Sequence, residues 1–369
     1  AAPAPNAEPD PVYGERYLPR KFKTAIAFAD DNCCDVHSND LGFLVVAGGG
    51  GRRIDGFNVL VGGGLGRTHN KKETYPRLAE PLGFVTPDEV VEVAEAVVTV
   101  ARDYGNRTDR RHARLKYLLD DRGIVWLREE VERRIGRALP PPAAVEVTGI
   151  HDHLGWHEQG DGRWFYGLFV ENGRVRDADD VRLRSALRQV VREFDAGVHL
   201  TPQQNVLVTN IPDHERIAFE AALADFGVRC QSELSTVRRW SMACPALPTC
   251  GLALAEAERA LPDVITALEA ELRALGLAQE PLTVRMTGCP NGCARPYTAD
   301  LAFVGRSPEK YQVFVGGSML GTRLGVQLAD LVPRAQLVAT VRPLFERYRD
   351  QRLPGERFGD FCHRVGVGN

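Results

Sequence analysis

The chain of 369 residues predicts an α/β fold in which two related α/β segments flank a smaller β-hairpin–α–β–α unit. Three observations carry that prediction. Short β-rich runs are followed by amphipathic helical stretches ahead of residue 140, and a further α/β stretch runs from about residue 232. The run FNVLVGGG (57–64) is echoed by YQVFVGG (311–317), and each is followed by Leu-Gly with Arg and Thr in either order. Between them, LGWHEQGDGRWFYGLFVENGRV shows two β-rich halves around a Gln-Gly-Asp-Gly turn.

Taken in order, KFKTAIAFA (21–29), LGFLVVA (41–47) and FNVLVGGG read as strands. TPDEVVEVAEAVVTVARDYG (86–105) reads as a helix: Thr86 caps it, Pro87 fits its first turn, and Val90, Ala94, Val97 and Ala101 share a face. The basic stretch NRTDRRHARLKY (106–117) precedes a second amphipathic helix through 126–137. PPPAAVEVTG (140–149) marks a boundary. The hairpin at 154–176, a helix at 181–194, a strand at 205–209 and a helix at 213–226 make half of a ferredoxin-like pair. The expected layout is a linker (1–16), a first α/β domain (17–153), the ferredoxin-like half-domain (154–231) and a second α/β domain (232–369).

Composition narrows the function. The chain is 44% hydrophobic and 26% charged, with mean hydropathy -0.24, an ordinary soluble balance with room for two or three cores. A net charge of -3 gives no basic footprint for nucleic acid. No apolar run approaches the roughly 18 residues of a membrane span. The opening AAPAPNAEPDPVYGERYLPR has no apolar signal core, which predicts a cytoplasmic protein; a processed organellar one would look the same.

The eight cysteines are too sparse for a disulfide scaffold, and four of them cluster in CPALPTC (244–250) and TGCPNGC (287–293). Zinc knuckles use shorter gaps, and a disulfide pair leaves the Pro, Asn and Gly between the thiols unexplained. Wide, unequal gaps suit four thiolates around a cubane several ångströms across. A helix expected directly after Cys250 would set its positive end against the cluster's negative charge. Cys33, Cys34, Cys230 and Cys362 show no ligand spacing and read as ordinary thiols.

The motifs reach further than the cysteines. YLPRKFKTA (17–25), SNDLGFLVV (38–46), FNVLVGGGLGRTH (57–69), NRTDRRHARLKY, LTPQQN (200–205), SMACPALPTC (241–250), EAER (256–259), TGCPNGCARPY (287–297) and FGDF (358–361) follow one another as landmarks do in sulfite and nitrite reductase hemoproteins. The chain resembles that family over nearly its whole length. GRTHNKKETYPRLAEPLGF, LGWHEQGDG and CARPY resemble its ferredoxin-dependent branch.

The resemblance implies sirohaem and a [4Fe–4S] cluster. Cys244, Cys250, Cys289 and Cys293 would ligate the cluster, with Cys293 also reaching the sirohaem iron. Lys21 and Lys23, on one strand face, would clamp sulfite and deliver protons. Nitrite reductases of the family typically carry an asparagine-like residue at the position of Lys23, which favours sulfite. Arg20, Arg107, Arg111 and Lys116 would meet the sirohaem carboxylates, Gln204 and Asn205 would lie near the macrocycle, and Asn291 and Gly62–Gly64 would allow close approach to cofactor. The implied reaction is the six-electron reduction of sulfite to sulfide with electrons from ferredoxin. A nitrite reductase, or an iron–sulfur electron-transfer fragment needing a second chain, are the alternatives. Family chains are longer at the front, so a first half-domain and the start of the first α/β domain are expected to precede this sequence or to come from elsewhere.

Overall fold

Alternating apolar residues build the first sheet around tight reversals. Strands β1 (Thr24–Ala27), β2 (Leu41–Gly48), β3 (Arg53–Val61) and β4 (Glu80–Val85) lie in that order, β1 parallel to β2 and the others antiparallel. The structure, a computed structural model, describes residues 10–178 and 180–367; residues 1–9 of the expected linker fall outside that range. Helices α1 (Val90–Tyr104) and α2 (Leu115–Ile135) cover one face, packing Val93, Val97, Leu119 and Leu127 against Leu41, Phe43 and Val59. Thr86 caps the entry to α1 as expected, and it does so in a capping box with Glu89, in a 3-10 turn that leads into the helix. The second helix starts earlier than expected, at Leu115, and bends at Gly123. The first strand is shorter than expected: past its end, the Ala29 carbonyl is taken by the amides of Thr148 and Gly149. Those amides belong to the 140–149 stretch, which straps the opposite face. Asn58 there exchanges two 2.8 Å hydrogen bonds with the Ala143 backbone, and Val147 packs on Leu44 and Leu60.

Residues up to Ile150, together with Leu320–Leu324, form one compact unit; His151–Met319 and the chain from Gly325 form another. The second unit opens with hairpin β5 (Gly155–Glu158) and β6 (Arg163–Leu168), then a short ribbon of β7 (Asp177–Ala178) and β8 (Val181–Arg182). Helix α3 (Leu183–Glu193), strands β9 (Gly197–Leu200) and β10 (Val206–Pro212) and helix α4 (Arg216–Ala224) follow. The sheet order is β5-β6-β10-β9, with Val190 and Phe219 closing a core beneath it. The sequence pattern missed edge strand β9, whose Val198, His199 and Leu200 are all exposed and so show no alternation.

After α5 (Thr236–Arg239), the last sheet has the order β11 (Ser241–Ala243), β12 (Val284–Thr287), β13 (Leu301–Ser307), β14 (Lys310–Val315), β15 (Val326–Pro333). Helices α6 (Leu261–Ala274), α7 (Leu337–Gln351) and α8 (Phe358–Arg364) complete its core. The two α/β regions are related, as the echoed glycine run suggests. In each, a parallel pair is followed by two antiparallel strands and a 3-10 turn into a helix. The connections 28–40 and 288–300 match in length. Each holds a left-handed residue (Asp35, φ 50; Arg295, φ 55) before a 3-10 turn. Each also ends on an aspartate that accepts a 2.9 Å bond from the amide preceding the first strand, Lys23 to Asp40 and Thr283 to Asp300.

Candidate cofactor site

Two loops at the carboxyl ends of β11 and β12 carry the four cysteines. Cys244 directly follows β11, and its amide extends the ladder to the Met286 carbonyl at 3.1 Å. The loop turns through Ala246 (φ 46), whose carbonyl receives the Cys250 amide at 2.7 Å. The second loop follows β12. Gly292 sits at φ 66, where a Cβ would lie 3.1 Å from the Tyr297 ring, and the Tyr297 hydroxyl donates to the Pro290 carbonyl at 3.1 Å. Asp300 closes the base of this loop, accepting from the Thr283 hydroxyl at 2.6 Å and the Gly359 amide at 3.1 Å. Burial pushes its carboxyl above the usual range.

Gly288 joins the two loops, and sequence reasoning passed over it. A Cβ there would strike Ala246 Cβ and the Ala255 carbonyl at 2.6 Å. Its N–H donates to Cys244 Sγ at 3.3 Å, while its carbonyl accepts from Leu254 and Ala255. A glycine one residue ahead of Cys289 was the available signal.

The four thiols act on one another. Burial pushes the Cys244 thiol up to about 11, with the Cys293 and Cys289 sulfurs adding to the shift and the Gly288 and Ala246 amides opposing it. Burial likewise raises Cys289, with Cys293 and Cys250 adding to it and Asn291 opposing it through both backbone and side chain. Asn291 thus touches a candidate ligand. Sulfurs that resist ionisation here need positive charge among them to become thiolates, as a metal centre provides. Among the described residues no three of these sulfurs lie within 4.8 Å of one another. Cys244 and Cys289 are buried, Cys250 is half-buried and Cys293 is exposed.

The expected helix dipole behind Cys250 is absent. The chain after it turns irregularly, and α6 begins only at Leu261, with Pro262 in its first turn. The thiols are met by individual amides instead.

The cationic candidates lie in the first unit. Lys21 is exposed and Lys23 half-buried, just ahead of β1; between them Phe22 packs onto the sheet core. The Lys23 amide donates to Asp40, and its carbonyl accepts from Leu41 at 3.1 Å, so the extended alternation continues through it. Arg20 is half-buried beside them. Arg107 ties the chain start to the end of α1 by donating to the Arg16, Tyr17 and Arg102 carbonyls. Arg111 is open, with loose pairs to Glu73 and Asp109 at 3.9 and 4.0 Å.

Lys116 requires a correction. It is fully buried, and its three N–H groups are spent on the Gly64, Gly66 and Tyr75 carbonyls, leaving none for a sirohaem carboxylate. The glycine strip has the same explanation: a Cβ at Gly62 would strike Leu119, and one at Gly64 would strike the Arg114 guanidinium. These glycines make room for the unit's own side chains. Gln204 and Asn205 also turn inward, Gln204 to the Ala243 backbone and Asn205 to the Val170 amide at 3.0 Å.

Burial, helped by Arg114, lowers the Lys116 pKa to about 7. Its unfolded value is about 10.4, so over that window the unfolded chain binds more protons and stability rises with pH. Lys116→Met is expected to lower stability by about 1–3 kcal/mol through the orphaned carbonyls. It should also remove a rise of up to ~1.4 kcal/mol per pH unit, read by denaturant unfolding at pH 7 and 9.

Comparison with known proteins bears on this geometry. The model for the nitrite and sulphite reductase 4Fe–4S domain matches residues 2–139 and 239–369, and that for the nitrite/sulfite reductase ferredoxin-like half domain matches residues 157–226. The chain belongs to the nitrite and sulphite reductase 4Fe–4S family. Its relatives include the sulfite reductase [ferredoxin] of Synechococcus elongatus, 48% identical over 97% of this chain and 57% of that protein. The sulfite reductase [NADPH] hemoprotein beta-component of a Methylobacterium species is 48% identical over 97% of this chain and 59% of its own length. The chain therefore spans about three fifths of these family members. The structure of the Mycobacterium tuberculosis NirA protein superposes with a TM-score of 0.80 at 32% identity, covering 95% of this chain and 64% of that one. The family's 4Fe–4S centre agrees in kind with the thiol set at β11 and β12, and the matched half-domain coincides with the β5–β10 sheet. No helix among the described residues is long and apolar enough to cross a membrane.

Proposed function

We propose that this chain is the cluster- and sirohaem-bearing portion of a ferredoxin-type assimilatory sulfite reductase. The convergence of Cys244, Cys250, Cys289 and Cys293 on two interlocked loops carries the reading. Bound there, a [4Fe–4S] cluster coupled to sirohaem supplies electron storage and a reducible iron. Cys244 and Cys289 would hold the cluster from buried positions, Cys250 and Cys293 would complete the set, and Cys293, exposed where the others are covered more, would be the residue nearest to sirohaem. Hydrogensulfite takes up six electrons and six protons, giving hydrosulfide and three waters, so the site needs cations for an oxyanion and a supply of protons. Lys21 and Lys23 are assigned to bind the anion and move those protons, with Asp40 fixing the Lys23 backbone. Arg20 and Arg111 are the guanidinium groups assigned to sirohaem carboxylates; Arg107 is left out because its guanidinium is taken by the Arg16, Tyr17 and Arg102 carbonyls. The ferredoxin assignment rests on the stretches GRTHNKKETYPRLAEPLGF and LGWHEQGDG and on the Synechococcus relative.

The test is a visible spectrum of anaerobically purified protein from cells that make sirohaem, with iron and sulfide assays and turnover fed by reduced ferredoxin or by NADPH. Sirohaem bands with about five irons per chain and ferredoxin-driven sulfite reduction are expected. Preference for nitrite would move the assignment to the family's other activity, and about four irons without haem bands would reduce it to a cluster carrier. Lys23→Ala should leave both chromophores intact while sulfite kcat/KM falls by about 10²-fold or more. Unchanged turnover would remove Lys23 from the anion site.

A further inference from the structure

Two motifs, LTPQQN and EAER, have no part in the chemistry above, yet both grip the strand that presents Cys244. Gln204 lies in the β9–β10 connection at φ 67. Its Nε2 donates to the Ala243 carbonyl at 2.8 Å, and its Oε1 accepts the Ala243 amide at 3.2 Å. Ala243 is the last residue of β11, an edge strand among the described residues. The Gln204 amide thus makes both backbone bonds that a further strand would make at the residue before Cys244. The second grip is on Cys244 itself. Its carbonyl accepts the Glu258 amide at 3.1 Å. The buried Glu258 carboxylate takes a two-nitrogen fork from Arg174, and the Glu258 carbonyl accepts Asn172 Nδ2 at 2.9 Å. Arg259 reaches the same loop, donating to the Leu247 carbonyl at 2.9 Å.

We infer that Gln204 and the Arg174–Glu258 pair are positioning residues through which the ferredoxin-like half-domain holds Cys244 in place as a cluster ligand. This rests on the cluster reading above. The half-domain supplies Gln204, Asn172 and Arg174, so its contribution to this site is mechanical. Ligands need to be held within about 0.5 Å of productive geometry, and a lone edge strand, paired on one side, does not do that. The Glu258 charge is spent on Arg174, so its contribution reaches Cys244 through the backbone.

The experiment uses the full chain carrying Gln204→Ala or Arg174→Ala, with Arg174→Lys as a milder variant should either be recovered unfolded. In metal-free protein, iodoacetamide labelling of each cysteine is followed by mass spectrometry, with buried Cys362 as internal reference. Cys244 labelling should accelerate about tenfold in Gln204→Ala, as expected when two hydrogen bonds that oppose local opening are lost. In reconstituted protein the same variants should shift the cluster's midpoint potential and EPR signature, with Arg174→Lys closer to the unmodified chain. Unchanged Cys244 labelling in folded Gln204→Ala and Arg174→Ala overturns the inference, whatever the cluster does. An unmodified chain that takes up no cluster overturns the functional reading instead, and the labelling still decides whether the half-domain clamps Cys244.

Discussion

Cys289→Ser should collapse the iron and acid-labile sulfide content of the purified chain by about tenfold or more and bleach its visible absorption. Serine keeps the size of the side chain but does not ionise at neutral pH, so one corner of a four-thiolate site is lost. The position is unforgiving. Cys289 is buried, feels both Cys250 and Cys293, and hangs from a loop closed at its base by Asp300. Cys230→Ser is the control. That thiol contacts the Ser232 hydroxyl at 3.0 Å and lies outside both cysteine loops, so iron content should stay at the level of the unmodified protein. Equal losses in both variants would point to general destabilisation. Full iron in Cys289→Ser would remove the residue from the ligand set.

The second large effect is expected at Arg114. Its guanidinium forks onto Asp40, Nε to Oδ1 at 3.0 Å and Nη2 to Oδ2 at 2.6 Å, with side-chain exposures of 8% and 0%. Truncation to alanine strands a carboxylate in a dry interior, and such losses cost about 3–5 kcal/mol. Asp40 also holds the Lys23 amide, so the damage reaches the candidate anion-binding strand. Denaturant unfolding should show the first unit's transition moved to lower denaturant. Adding Asp40→Asn removes the stranded charge while keeping an acceptor for Lys23, and should recover more than half of the loss. No recovery would mean that Arg114 acts mainly by packing over Gly64.

Much of this candidate site is legible in the sequence. Cysteine spacing and the Pro-Asn-Gly insert are local, and the two cysteine loops do meet, with the Gly288 N–H donating to Cys244 Sγ at 3.3 Å. The α1 capping box and the duplicated glycine run are likewise written in short windows, and both have structural counterparts. Other readings failed where a long-range partner intervened. Five basic residues in NRTDRRHARLKY look alike in sequence. Burial separates them: Arg114 and Lys116 point into the unit, Arg107 binds backbone, and Arg110 and Arg111 stay outside. The apolar, helix-favouring run after Cys250 does not become helix until Leu261, because its Leu254, Ala255 and Glu258 amides are claimed by Gly288 and Cys244.

Local sequence settles the kind of fold and the family and picks out four candidate thiols, since periodicity, turn residues and ligand spacing act over a few residues at a time. Tertiary structure alone decided what Lys116, Gln204, Glu258 and Gly288 do. Each is defined by partners outside its own stretch of sequence, and a polar group takes its role from whichever N–H, C=O, sulfur or charged side chain folding brings within reach.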